Sequence, residues 1–213
     1  MPYIGQIPSA KLLTASDITD GVISTAKLAD SSVTSAKITD GTIASGDLAS
    51  GVGGKILQVV SATKTDTFTL SSSNGTFTDV TGLSVSITPT STSSKIFITA
   101  NVNISGDNRY GSLIFVRDST AIGIGDADGS RTRVAVSSHR NPSATNDHHI
   151  MHNSSTSFLD SPNTTSATTY KIQIANTYAA GGYTVHINRG STDANADYAH
   201  RGASTITVME VST

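Results

Sequence analysis

Cysteine and tryptophan are absent from this 213-residue chain, aromatic residues make up 5% of it, and glutamate occurs once, at Glu210. Without cysteine there is no disulfide framework and no thiolate metal site. So few large apolar side chains neither fill a helical core nor wall a deep ligand pocket. Charged residues reach only 14%, with a formal net charge of −2. No broad basic field therefore draws nucleic acid or an anionic membrane. No apolar run is long enough to span a bilayer, and no basic-then-apolar segment resembles a secretion signal. Serine, threonine, glycine and asparagine fill the composition instead, which favours strands, turns and extended chain over helices.

The first quarter of the chain repeats. Leu13, Ile18, Ile23, Leu28, Val33, Ile38, Ile43 and Leu48 recur at every fifth position, and from Ile18 onward a small residue stands two places before each. A ten-residue period is superimposed, since "SAKITDGTI" echoes "TAKLADSSV" and "ITDG" occurs at Ile18 and again at Ile38. Neither a helix nor a strand has this spacing. One aliphatic residue in five makes no core within a single extended chain, so each unit must bury it against other copies of the unit. Two geometries allow that. The chain can coil as a four-sided β-helix of about two turns, roughly 10 Å tall at the usual strand spacing. Alternatively, several identical chains run side by side with the aliphatic residues as a shared core, reaching about 120 Å over some 40 residues. The small residues would then let the backbones approach. A linker remains the third reading, although a linker needs no such spacing.

Beyond Lys55 the pattern changes to period two. "KIFITANVNIS" sets Ile96, Ile98, Ala100, Val102 and Ile104 on one face, as a half-buried antiparallel strand does. Leu83, Val85 and Ile87 follow the same rule, as do Tyr170, Ile172 and Ile174, and Tyr183, Val185 and Ile187. "SLIFVRD" and "STITVMEV" are apolar on both faces and belong at a sheet centre or a subunit contact. Turn signals at Asn74-Gly75, Asp128-Gly129 and Gly181-Gly182 separate roughly eight to ten strands. The expectation is an all-β protein: a repetitive fibrous stalk over residues 13–53, then an antiparallel, jelly-roll-like β-sandwich head over 54–213. The polar stretch from about Gly125 to Ser155, with four of the six histidines, reads as one or more large exposed loops.

Candidates for chemistry are few. "DADGS" at Asp126 has glycine at the wrong place for a calcium loop and no closing glutamate, so it reads as a turn. In "NDHHIMH", His148 and His152 share one face of a strand and are the only metal candidates, one histidine per chain meeting near a symmetry axis. The plainer reading is a polar surface. There is no nucleophile elbow, phosphate loop, dinucleotide fingerprint or singled-out carboxylate pair. The chain reads as a non-enzyme without a cofactor.

"MPYIGQIP" at the start, the repeats "TSAKITDG" and "ITDGTIASGDLA", and the ending "STITVMEV" resemble fibre proteins of tailed bacteriophages, marine ones especially. The resemblance implies a homotrimer assembled in the host cytoplasm and carried on the virion. Residues 1–12 would anchor it to other tail or capsid proteins, and the eight aliphatic residues would form the trimer core of the stalk. The head would bind a host surface glycan or protein, with Arg140, Asn141, Asn146, His148 and His149 as loop candidates. A capsid fibre or decoration protein without a receptor role is the alternative. No nucleic acid and no membrane insertion is implied.

Overall fold

The computed structural model describes residues 14–48, 55–71, 75–106, 110–139, 149–177 and 183–212. The chain divides into two units, Met1–Gly53 and Gly54–Thr213. Leu13, residues 1–12, Arg140, Asn141, Asn146 and His148 lie outside the described residues.

The first unit repeats every ten residues. Short 3-10 turns occupy Ala15–Asp17, Thr25–Lys27, Ser35–Lys37 and Ser45–Asp47. Between them stand turns closed by Val22 N–H to Thr19 O, Ser32 N–H to Ala29 O and Thr42 N–H to Thr39 O. Gly21, Ser31 and Gly41 take the third position of these turns with φ of 79°, 61° and 79°, the left-handed value a type II turn requires. The small residue two places before Ile23, Val33 and Ile43 is therefore a turn requirement. Within the single chain nothing lies within 4 Å of a Cβ built at Gly21 or Gly41. Asp17 anchors the first turn by accepting from Thr14 N (2.9 Å) and Thr14 Oγ1 (2.7 Å), and Asp47 accepts from Ala44 N (2.9 Å).

Five-residue spacing thus arises from two turn types in alternation, each followed by an aliphatic residue. Ile18, Ile23, Leu28, Val33, Ile38, Ile43 and Leu48 are all 36–53% exposed in the single chain. The described residues of this unit contain no strand. A self-coiled β-helix, which would bury those side chains on strand faces, is not what the described residues of this unit form.

The second unit is a two-sheet antiparallel sandwich with eleven strands among the described residues. One sheet holds β1 (Ile56–Lys64), β2 (Phe68–Ser71), β4 (Lys95–Gly106), β8 (His152–Asp160), β10 (Thr184–Ile187) and β11 (Ser204–Val211). The other holds β3 (Thr78–Ile87), β5 (Tyr110–Arg117), β6 (Thr120–Ile122), β7 (Val136–His139) and β9 (Thr168–Asn176). On one edge of β4, β11 pairs with residues 95–101 and β10 with 104–106, so they occupy one position in succession. β1 and β2 share the next position beside them, and β6 and β7 share the one beside β5. Each sheet thus has four positions, β1/β2–β11/β10–β4–β8 and β3–β9–β5–β6/β7. The chain visits them in the crossing order of a jelly roll.

The alternating residues foreseen for β3, β4 and β9 are buried, and Val185 and Ile187 of β10 are 0% exposed. β5 and β11 are interior strands, as their two apolar faces suggested. The polar stretch 125–155 is not wholly loop, since it contains β7 and the start of β8. Serine and threonine there satisfy a half-solvated strand as readily as a turn.

Candidate functional site

One strand position is interrupted. Ile187 faces Ile104 across the ladder, and Thr205 faces Asn101. Asn188 N–H then bonds Asn103 O, and Asn103 N–H bonds Ser204 Oγ. The partner strand skips nothing, so residues 189–203 are a fifteen-residue insertion within a continuous strand. The sandwich core makes no use of it.

Its stem is built from buried polar contacts. Asn188, 0% exposed with φ of 64°, donates from Nδ2 to Lys64 O (2.8 Å) and Asp66 O (2.9 Å) and accepts from Ser204 Oγ (2.6 Å). Gly202 N–H returns to Asn188 O at 3.0 Å, and Asn103 Nδ2 holds Ala203 O at 2.7 Å. A Cβ at Gly202 would stand 2.9 Å from Asn103 Nδ2, so any larger residue there would displace the Asn103 side chain from its place in the stem. Above the stem, Arg189 and Arg201 pair as an isolated bridge, and both reach Asp193, at 3.5 Å and 2.5 Å.

The tip is a turn closed by Ala199 N–H to Ala196 O at 3.1 Å, with Asp197 and Tyr198 at its centre. Tyr198 is 51% exposed. His149 lies against it, with ring centroids 4.5 Å apart and planes at 59°. Beside the turn is an open cavity of about 280 Å³ lined by Asp193, Ala194, Asn195, Ala196, Ala199 and Arg201. Hydrogen bonding and ring stacking are the chemistry these groups offer.

Of the loop candidates named from sequence, His149 alone falls among the described residues, and the structure joins it to the insertion. Sequence reasoning passed over the insertion and Tyr198. The available signal was a lone aromatic within the polar run "GSTDANADYAHRGA" between two apolar strands. His152, the other metal candidate, begins β8 opposite Ile104 and is half-buried. Among the described residues, no cluster of three or more histidine, aspartate or glutamate side chains is placed to hold a metal. Asp126–Ser130 contains a turn, with Arg131 N–H bonded to Asp128 O and the two side chains paired. A second open cavity of about 630 Å³ adjoins it, lined by Ser112, Arg131, Thr132, Val134, Ser137 and Thr177.

The first sheet also carries an exposed apolar row. Val59, Met209, Phe97 and Leu159 are successive cross-strand partners on its outer face. Val59 and Leu159 are 56% and 48% exposed. Along the strands the next two rows are Ser61, Thr207, Thr99 and Ser157, then Thr63, Thr205, Asn101 and Ser155.

No family model and no curated protein matches the chain. Among solved structures, the Gx strain of infectious bursal disease virus aligns at 15% identity and a TM-score of 0.36, covering 73% of this chain and 37% of that one. The VP2 subviral particle of the same virus gives the same values. The Gt strain gives 13% and 0.34, covering 73% and 38%. The chain thus spans well under half the length of these structures.

Proposed function

We propose that this chain is a structural fibre protein of a phage virion, a homotrimer in which the decapeptide repeats form a shared stalk and the sandwich is an adhesive head. The observation that carries the reading is the exposure of every described aliphatic residue of the repeat. Seven large apolar side chains at 36–53% exposure, regularly spaced and without a core of their own, need cover from other copies. The repetition supports a symmetric solution, because identical chains in register present the same residue to one another at every level. The resemblance of the repeats and of both chain ends to tailed-phage fibres supports the virion setting.

The head supports an adhesive role by its insertion. A stem secured by buried polar bonds carries an exposed aromatic and a cavity outside the core. Binding residues commonly sit on such loops over a rigid scaffold. The test of assembly is the native mass of the full chain by light scattering. Three times 21.9 kDa is the expected value, and Ile38→Asp should lower it. A monomer at micromolar concentration overturns the reading.

A further inference from the structure

We propose that the 189–203 insertion, with His149 beside it, binds a single neutral pyranose unit of a surface glycan. This rests on the adhesive reading of the head and names its ligand.

Four observations lead there. First, the insertion enters and leaves a strand without cost to the register, so packing of the sandwich does not account for it. Second, its stem is fixed before any ligand arrives: Asn188, Ser204, Asn103 and Gly202 lock the two ends together. A preorganised loop avoids the ordering cost that weakens small-ligand binding. Third, Tyr198 stands at the centre of a turn with half its surface in water, braced by His149. An aromatic ring joins apolar area to a hydroxyl, which suits a sugar's C–H face and its rim of hydroxyls.

Fourth, a cavity flanks the same turn: its lining includes Ala196 and Ala199 on either side of Asp197 and Tyr198, though not the Tyr198 ring itself, and its size suits one sugar ring. At about 280 Å³ it falls just under the range for drug-sized ligands. Asp193 accepts, Arg201 donates and Asn195 does both, so the lining is more polar than apolar, with only the methyls of Ala194, Ala196 and Ala199 between these groups. The charges of the insertion cancel, Arg189 and Arg201 against Asp193 and Asp197, and Asp193 is shared between the two arginines. A site so balanced offers no free cation to a uronate or sialate, which selects a neutral sugar. One ring of about a dozen heavy atoms binds in the millimolar range. Three heads acting together supply the rest.

The full-length chain, fluorescently labelled, is applied to a printed panel of neutral and acidic glycans and to a panel of marine bacterial isolates. The same chain is titrated with methyl glycosides of glucose, galactose and mannose by saturation-transfer NMR. Retention on neutral glycans and transfer from at least one glycoside are expected. Tyr198→Ala should reduce both more than tenfold, Tyr198→Phe less than threefold, and Arg131→Ala at the other cavity not at all. The Phe variant and an unchanged native mass separate lost stacking from lost folding. Binding confined to acidic glycans, or unchanged in Tyr198→Ala, overturns the proposal. So does cell binding that survives periodate treatment but not protease, which leaves adhesion standing with a protein receptor. Absence of binding to every isolate and every glycan removes the adhesive reading itself.

Discussion

Tyr170 on β9 donates a 2.7 Å hydrogen bond to Oδ2 of Asp160 on β8, and that bond crosses from one sheet of the sandwich to the other. Arg117 of β5 completes the tie, its Nη1 within 3.0 Å of both oxygens of Asp160. Tyr170 is 1% exposed and Asp160 5%. A buried carboxylate is tolerated when charge and hydrogen bonds compensate it. Tyr170→Phe removes one bond to a charged acceptor and should cost about 2 kcal/mol. Asp160→Ala strands the phenol and frees Arg117, at about 3 kcal/mol. Thermal unfolding should show midpoints lowered by roughly 4–8 °C and 6–12 °C. Burial, reinforced by the carboxylate of Asp160, also raises the Tyr170 hydroxyl well above its ordinary range. Its stabilisation is whole below about pH 10 and is lost as pH rises further. A spectrophotometric alkaline titration should therefore find one tyrosine that ionises only on unfolding.

The single glutamate contributes to the acid limb. Burial alone would raise Glu210, but donors from Gln58, Thr90 and Ser94 outweigh it and hold the carboxyl at about 2. Gln58 Nε2 lies 2.6 Å from one oxygen, and Thr90 N and Oγ1 lie 2.7 Å from the other. An unfolded glutamate titrates near 4.5. Because the folded value is depressed, the stabilisation is present above about pH 4.5 and is lost as pH falls toward 2. It amounts to about 3 kcal/mol. Denaturant midpoints of wild type minus Glu210→Gln should shrink across that window. At neutral pH the Gln variant should already be weaker, because its amide sets an N–H against the Thr90 donors.

The strands were legible because β4, β9 and β3 each present one face to the core, so period-two alternation survives in the residues. β11 was legible for a different reason: apolar residues on both of its faces pointed to a sheet centre or a subunit contact, and it lies between β1 and β4. The decapeptide repeat was legible as a period but not as a geometry. Ser31 at φ 61° stands where Gly21 and Gly41 stand at 79°, and serine carries no letter-level sign of a type II turn. The insertion escaped notice because nothing local distinguishes a polar loop between two strands from one within a single strand. That distinction exists only in the pairing of Ile187 with Ile104 and Thr205 with Asn101. His149 was named for its polarity, but its partner Tyr198 lies 49 residues away, and that contact belongs to tertiary structure.

The repeat makes opposite predictions for two of its glycines. Gly41 holds φ at 79°, and a Cβ there meets no atom within 4 Å, so the penalty for alanine is backbone strain alone. Gly46 lies in a 3-10 turn without positive φ and is equally open. Gly41→Ala should cost about 1 kcal/mol, whereas Gly46→Ala should stabilise by about 0.5 kcal/mol through the unfolded chain. Ser31→Gly should relieve strain at the equivalent turn. Concentration-dependent thermal dissociation of the full chain measures all three, and equal effects at positions 41 and 46 would refute the turn assignment.

The apolar row on the outer face of the first sheet tests whether heads as well as repeats meet in the assembly. Val59 and Leu159 stand at its two ends, on the outermost strands, with Met209 and Phe97 between them in register. The hydroxyl rows beside it are suited to water. Isolated exposed aliphatics are ordinary on a protein surface, but four aligned across a sheet form a continuous patch. Threonine at Val59 and Leu159 keeps strand propensity and removes apolar surface. Fully buried, each such side chain contributes about 1.5–3 kcal/mol. The double Thr variant of the full chain should therefore dissociate at a concentration at least tenfold higher than wild type. Its two positions face solvent in the single chain, so the unfolding of the sandwich itself should move by less than about 1 kcal/mol. Dissociation at the wild-type concentration would show that the heads stand apart and that the repeat alone holds the copies together.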